Sequence, residues 1–185
     1  MNLKDLGRDA VLVDNFKEKI PTKYINIVDN LLKLNGVIYG GFVRDVLCGE
    51  VPNDVDVMTY IHDYDNIENY LKTQGYIREY RDYDVTGDMY DMIHSKFTKP
   101  SESIVIDVFS THNLVCLADP DADVNMIQWD GTYLALWCGV LDEIDTETAI
   151  DHAKNKEFVR LSDDDYRIHK LLDKNWMLLY DKLLV

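Results

Sequence analysis

The sequence predicts an α+β fold: a small mixed or antiparallel sheet of about five strands, with helices mainly on one face. Three observations predict it. Runs at 54–60 and 103–110 alternate apolar with polar residues, as strands with two different faces do. Two more strand-like runs, 76–82 and 89–97, flank Asp84-Val85-Thr86-Gly87, which has the composition of a hairpin turn. Between these lie helix-period stretches at 22–34, 41–48 and 64–74, each followed by a glycine stop.

The elements follow in order. Residues 1–21 hold a short amphipathic stretch (Val11, Leu12, Val13, Phe16, Ile20) that ends at Pro21. Thr22 can cap a helix running through Tyr24, Ile27, Val28 and Leu31, closed by Asn35-Gly36. Its apolar stripe marks it as scaffold. Strand 37–39 leads into a helix at 41–48, ended by Gly49, and Pro52-Asn53 turns the chain into strand 54–60. The helix at 64–74 faces Ile67, Tyr70 and Leu71 inward. The tyrosines of 76–97 alternate with Asp and Arg, the pattern of an antiparallel pair with one wet face. Such rings can stack on bases, but cross-strand packing accounts for them more simply. The run 132–137 reads as a strand and 142–154 as a charged helix. A final helix starts near Ser162, its expected N-cap, and continues through Leu171, Leu172, Trp176, Leu178 and Leu179.

Composition bounds the function. A chain of 185 residues, 46% hydrophobic, suits one folded unit with a substantial core. No run is long and apolar enough to span a bilayer, and MNLKDLGRDA lacks the hydrophobic segment of a signal peptide, so a cytoplasmic protein without a membrane partner is expected. Cys48, Cys116 and Cys138 are widely spaced and read as reduced thiols. The formal net charge of −15 repels long polyanions, so weak binding to bulk nucleic acid is expected.

The chemistry concentrates in YGGFVRDVLCGEVPNDVDVMTY, residues 39–60. Asp54 and Asp56 alternate with Val55 and Val57, so both carboxylates share one strand face. Paired carboxylates make a hard oxygen site suited to Mg²⁺. Gly40 and Gly41 open a helix whose N-terminus, with Arg44, can offset a polyphosphate. Asp107 is a lone acid in the apolar strand SIVIDVFS and needs a cation, a metal or strong hydrogen bonds. Beside 54–60 it would complete a three-carboxylate cluster. Asp45, in the first turns of the helix, is expected to bond the loop.

The order GG-x-x-RD-x-x-x-G then D-x-D resembles the nucleotidyltransferases of the poly(A) polymerase and bacterial-type CCA-adding family. The resemblance runs from residue 37 to about 172. It implies a polymerase-β-like nucleotidyltransferase fold and Mg²⁺-dependent transfer of a nucleoside monophosphate from an NTP, ATP or CTP, to an acceptor hydroxyl, most simply an RNA 3′ end. Two Mg²⁺ ions would lie at Asp54, Asp56 and Asp107, the catalytic and metal-binding acids, with Gly40, Gly41 and Arg44 on the phosphates. A family block after the third acid is matched by Asp121, Asn125 and Asp130, and implies nucleotide contacts for Asp121 and Asn125. A later E-D-x-x-R block is matched by Asp164 and Arg167, implying contacts to the base. The helix-cap reading of Asp164 stands beside that one. The chain departs from the family at Asp119-Pro120, where an arginine pair is usual, and at Ser110-Thr111-His112, where an arginine is expected. Both changes remove positive charge near a triphosphate.

By the same resemblance, residues 1–160 are a catalytic head and 161–185 the start of a helical neck within one compact unit. Two rival readings remain. The acidic surface favours a protein or small-molecule acceptor, and the lost arginines favour an inert, head-like interaction module.

Overall fold

The computed structural model describes residues 2–6, 9–86, 90–112, 121–137 and 144–182. A 3₁₀ turn (Leu3–Leu6) precedes β1 (Val11–Leu12), and α1 (Thr22–Lys33) leads to β2 (Val37–Tyr39). Then come α2 (Gly40–Leu47), β3 (Val55–Tyr60), α3 (Tyr64–Thr73), β4 (Ile77–Thr86), β5 (Tyr90–Lys99) and β6 (Ile104–Thr111). A 3₁₀ turn (Asp123–Met126) enters β7 (Ile127–Trp129) and β8 (Tyr133–Leu136). The chain finishes with α4 (Thr146–Asn155), β9 (Glu157–Arg160), α5 (Asp165–Asp173) and β10 (Met177–Asp181).

Eight strands form one sheet in the order β1-β8-β7-β2-β3-β6-β5-β4. Among the described residues only β3 and β6 are parallel neighbours in it, and their register sets Asp56 opposite Asp107. Parallel strands need a long crossover, which α3 and the β4–β5 hairpin supply here. Period-two alternation sends Val55, Val57, Ile106 and Val108 into the core, where none is exposed. All four helices α1 to α4 pack their apolar stripes there, through residues such as Val28, Val43, Ile67 and Ile150. On the opposite face Leu3 covers only Val37 and Ala135. That face also carries Asp56 and Asp107, with Lys96, His94 and Phe109 beside them.

Several expectations need correction. The sheet has eight strands, not about five: besides the runs read as strands, which include β8, the short β1 and β7 join it. β1 and β7 are two and three residues long, and β7 is buried throughout, so neither shows a readable alternation. Thr22 does not cap α1; Pro21 holds the N-cap position, and its carbonyl accepts from the Tyr24 N–H at 2.8 Å. β4 continues through Thr86, so the expected turn residues Asp84 to Thr86 are strand, and Gly87 lies outside the described residues. α4 begins at Thr146, capped by the Asp145 carboxylate, which accepts from the Thr148 N–H at 2.8 Å.

The last helix is the largest departure. It ends at Asp173, where Lys174 caps it and Asn175 takes φ +60°. Asparagine tolerates that left-handed turn, and β10 then pairs in parallel with β9. Trp176, Leu178 and Leu179 are therefore not helical. Nor is Ser162 the N-cap. Asp164 holds that place and accepts from the Arg167 N–H at 3.3 Å. Cys48 is a half-buried free thiol, while Cys116, Cys138 and Asp119-Pro120 lie outside the described residues. Among the described residues no helix is long and apolar enough to cross a membrane.

Candidate active site

The site is assembled where β2 breaks into α2 beside the β3–β6 pair. Gly40 has φ +64°, which lets the chain turn from Tyr39 straight into the helix. A Cβ on Gly40 or Gly41 would meet Asp56 Oδ2 at 3.4 or 3.5 Å, so bare backbone lies against that carboxylate. The Phe42 N–H, at the start of α2, donates to Asp56.

The ladder and the pleat then bring together the acids expected from sequence. Carboxylate oxygens of Asp54, Asp56 and Asp107 all lie within 4.8 Å of one another, an arrangement that could hold a metal ion. Nothing neutralises them fully. Burial, followed by the charges of Asp54 and Asp107, pushes the Asp56 carboxyl up to about 8. Burial and Asp107 also raise Asp54, opposed by Lys174 and Arg44. Asp107 Oδ1 is buried without a hydrogen-bond partner. Burial raises the Tyr39 hydroxyl well above its ordinary value, and the negative charge of Asp56 and Asp107 adds to this.

A chain of polar contacts runs from α2 to α5. Arg44 Nη1 donates to Asn125 Oδ1 at 2.6 Å, and Asn125 Nδ2 donates to Asp121 Oδ2 at 3.0 Å. Arg167 Nη1 lies 3.8 Å from the same Asp121 oxygen and its Nε lies 3.7 Å from Asp164 Oδ2. These contacts link Arg44, Asn125, Asp121, Arg167 and Asp164 in one series, while Gly40 and Gly41 lie beside Asp56. Asp164 caps α5, as its helix-cap reading expected, and also stands 3.7 Å from Arg167 Nε.

Three features were missed. Asp45 does not bond the loop through its carboxylate: it accepts from Arg44 Nε at 2.7 Å and Lys174 Nζ at 3.3 Å, fixing the guanidinium. That guanidinium also stands 5.4 Å over the Trp176 ring. Lys174 lies seven residues after Arg167, a spacing that returns to one helix face, and the sequence carried that signal. His94 Nε2 is 3.7 Å from Asp107 Oδ1, a proximity set by hairpin register and invisible without it.

No protein-family model matches the sequence, and no curated protein matches it. Solved structures do resemble the chain. A Thermotoga maritima CCA-adding enzyme complexed with tRNA matches with TM-score 0.61 at 17% identity, over 91% of this chain and 42% of that one. An apo CCA-adding enzyme matches with TM-score 0.58 at 15% identity, over 92% and 43%. A CCA-adding enzyme complexed with ATP matches with TM-score 0.57 at 16% identity, over 91% and 42%. The chain spans less than half the length of these neighbours. The likeness is one of fold: a nucleotidyltransferase-like α+β architecture.

Proposed function

We propose that the chain is a Mg²⁺-dependent nucleotidyltransferase that moves a nucleoside monophosphate from ATP or CTP to an acceptor hydroxyl, an RNA 3′ end in the favoured reading. The observation that carries this is the cluster of Asp54, Asp56 and Asp107, left short of positive charge on an accessible sheet face. Such a donor set, all hard oxygen with one buried oxygen unpartnered, fits Mg²⁺. When bound, the metal supplies charge neutralisation for the triphosphate and lowers the acceptor hydroxyl's pKa.

The protein's own groups do the rest. The open N-terminus of α2 at Gly40 and Gly41 receives phosphate oxygens. Arg44, held by Asp45 and Asn125, presents its guanidinium to them without having to be ordered first. Asp121 and Asn125 line the nucleotide, and Asp164 with Arg167 meet the base edge. The Asp107 carboxylate takes the acceptor hydroxyl's proton as that oxygen attacks the α-phosphorus. The bond to the bridging oxygen breaks and pyrophosphate leaves. Residues 1–160 are the catalytic head and 161–185 the start of the neck; Lys174 and Trp176 meet the head at Asp45 and Arg44.

Incubation with each labelled NTP, Mg²⁺ and total cellular RNA or protein tests this. Label entering RNA in the wild type, and none with Asp56→Asn, is expected; no labelled product from any NTP would overturn the reading. Label entering protein instead would support the second reading, a non-RNA acceptor, which the net charge of −15 favours.

A further inference from the structure

One flank of the acids is lined by α2, the Asp123–Met126 turn and α5. On the other flank the sheet continues, and its accessible face carries rings. Ladder register sets Asp107 opposite Lys96, Lys96 opposite Tyr80, and Phe109 opposite His94, and directly opposed residues share a face. The Tyr80 and His94 rings lie 5.2 Å apart at 82°, and the His94 and Phe109 rings 5.7 Å apart at 45°. The Tyr80 hydroxyl is 3.3 Å from His94 Nε2, which is itself 3.7 Å from Asp107 Oδ1. Tyr80 is 36% exposed and the His94 side chain 39%. Core packing does not explain them, since the helical core lies on the other side of the sheet.

We propose that Tyr80, His94 and Phe109 seat the terminal base of a nucleic-acid acceptor, with Lys96 offsetting its last phosphate. This rests on the transfer reading, because it names the acceptor for that same site. Partly exposed rings stack on any base, since every base has a π-face. The seat adjoins Asp107, on the side away from Arg44 and Asn125. A nucleotide stacked there presents its 3′-hydroxyl to Asp107 while the donor occupies the opposite flank. A protein acceptor brings no base to fill the platform, so the rings favour nucleic acid.

The test uses a short RNA ending in 2-aminopurine, whose fluorescence falls on stacking, and the same RNA ending in an abasic residue. Wild-type protein should quench the probe and prefer the base-bearing end by about 5- to 150-fold, the range of one stacked base. His94→Gln should lose most of that preference, and His94→Phe, which keeps a ring, should retain it. NTP affinity should be equal in all three proteins. Equal binding of the two RNAs, an unchanged His94→Gln, or a His94→Phe as impaired as His94→Gln would overturn the seat. Quenching without transfer from any NTP would leave the seat standing and remove the transferase reading. Transfer proceeding equally onto both ends would do the reverse.

Discussion

A buried acid, Asp123, and the half-buried cluster of Asp54, Asp56 and Asp107 are held in opposite ways. Asp123 has no exposed surface, yet each of its oxygens has a donor: the Val159 N–H at 2.8 Å and His152 Nδ1 at 2.6 Å. Burial raises its carboxyl, and those bonds oppose the rise. Asp123 thereby ties the turn before β7 to α4 and β9. Asp56, by contrast, has the Phe42 N–H and the charge of Arg44 against burial and two further carboxylates. A carboxylate that serves the fold is given its donors within the chain. One left short of them is in the state a cation would complete.

Removing one acid from each group should therefore separate activity from stability. Asp56→Asn should lower nucleotidyl transfer by about 10³-fold or more, from loss of several kcal/mol of charge stabilisation. Without metal and above about pH 8, where Asp56 is charged, the same variant should melt no lower than wild type, because one of three mutually repelling charges is gone. Transfer assays and metal-free melting curves read both effects; a destabilised Asp56→Asn would break the comparison. His152→Ala should do the converse. It leaves Asp123 buried without its ring donor, at about 3 kcal/mol, or roughly 6–12 °C in Tm for a chain of this size. Activity per folded molecule should persist.

The pH dependence sharpens the same contrast. Asp56 is pushed up to about 8, so the native chain holds this proton more tightly than the unfolded chain does. Its contribution is complete below the ordinary carboxylate range and is lost as pH rises toward 8. Without metal, Tm should fall between about pH 5 and 8; millimolar Mg²⁺ should restore most of that loss at pH 8. In Asp56→Asn both the slope and the Mg²⁺ effect should shrink. A flat metal-free profile in the wild type would mean the acids are already neutralised within the protein.

Legibility from sequence followed the same division. Asp54, Asp56 and Asp107 were readable because strand alternation fixes a face and because an acid between isoleucine and valine is costly without a cation. The glycine pair and Arg44 were readable because a helix start is a local event. What failed was non-local or poorly patterned. β1 and β7 are too short to show a period, and β10 was merged into α5 because its leucines sit at helix-like spacing. Asn175, a left-handed stop residue, was the overlooked signal. His94 reached Asp107 only through hairpin register, and Asp45 found Lys174 across 129 positions of sequence.

The smallest expected effect concerns the far end of the polar chain, at Arg167. Its side chain is 65% exposed, and its charge partners Asp121 and Asp164 stand at 3.8 and 3.7 Å. Contacts of that length and exposure contribute little to stability. Asp164 caps α5 through the backbone N–H of residue 167, which survives any side-chain change. Arg167→Ala should therefore alter stability by no more than about 0.5 kcal/mol. If the guanidinium meets the base edge, the variant should still lose discrimination among NTPs by about 1–3 kcal/mol, read as the ratio of kcat/KM for ATP and CTP. Arg167→Lys keeps the charge but not the planar fork, so it should behave like the alanine variant in discrimination. An unchanged ratio in both would confine Asp164 and Arg167 to the start of α5, and base selection would have to lie elsewhere along the Asp121–Asn125 wall.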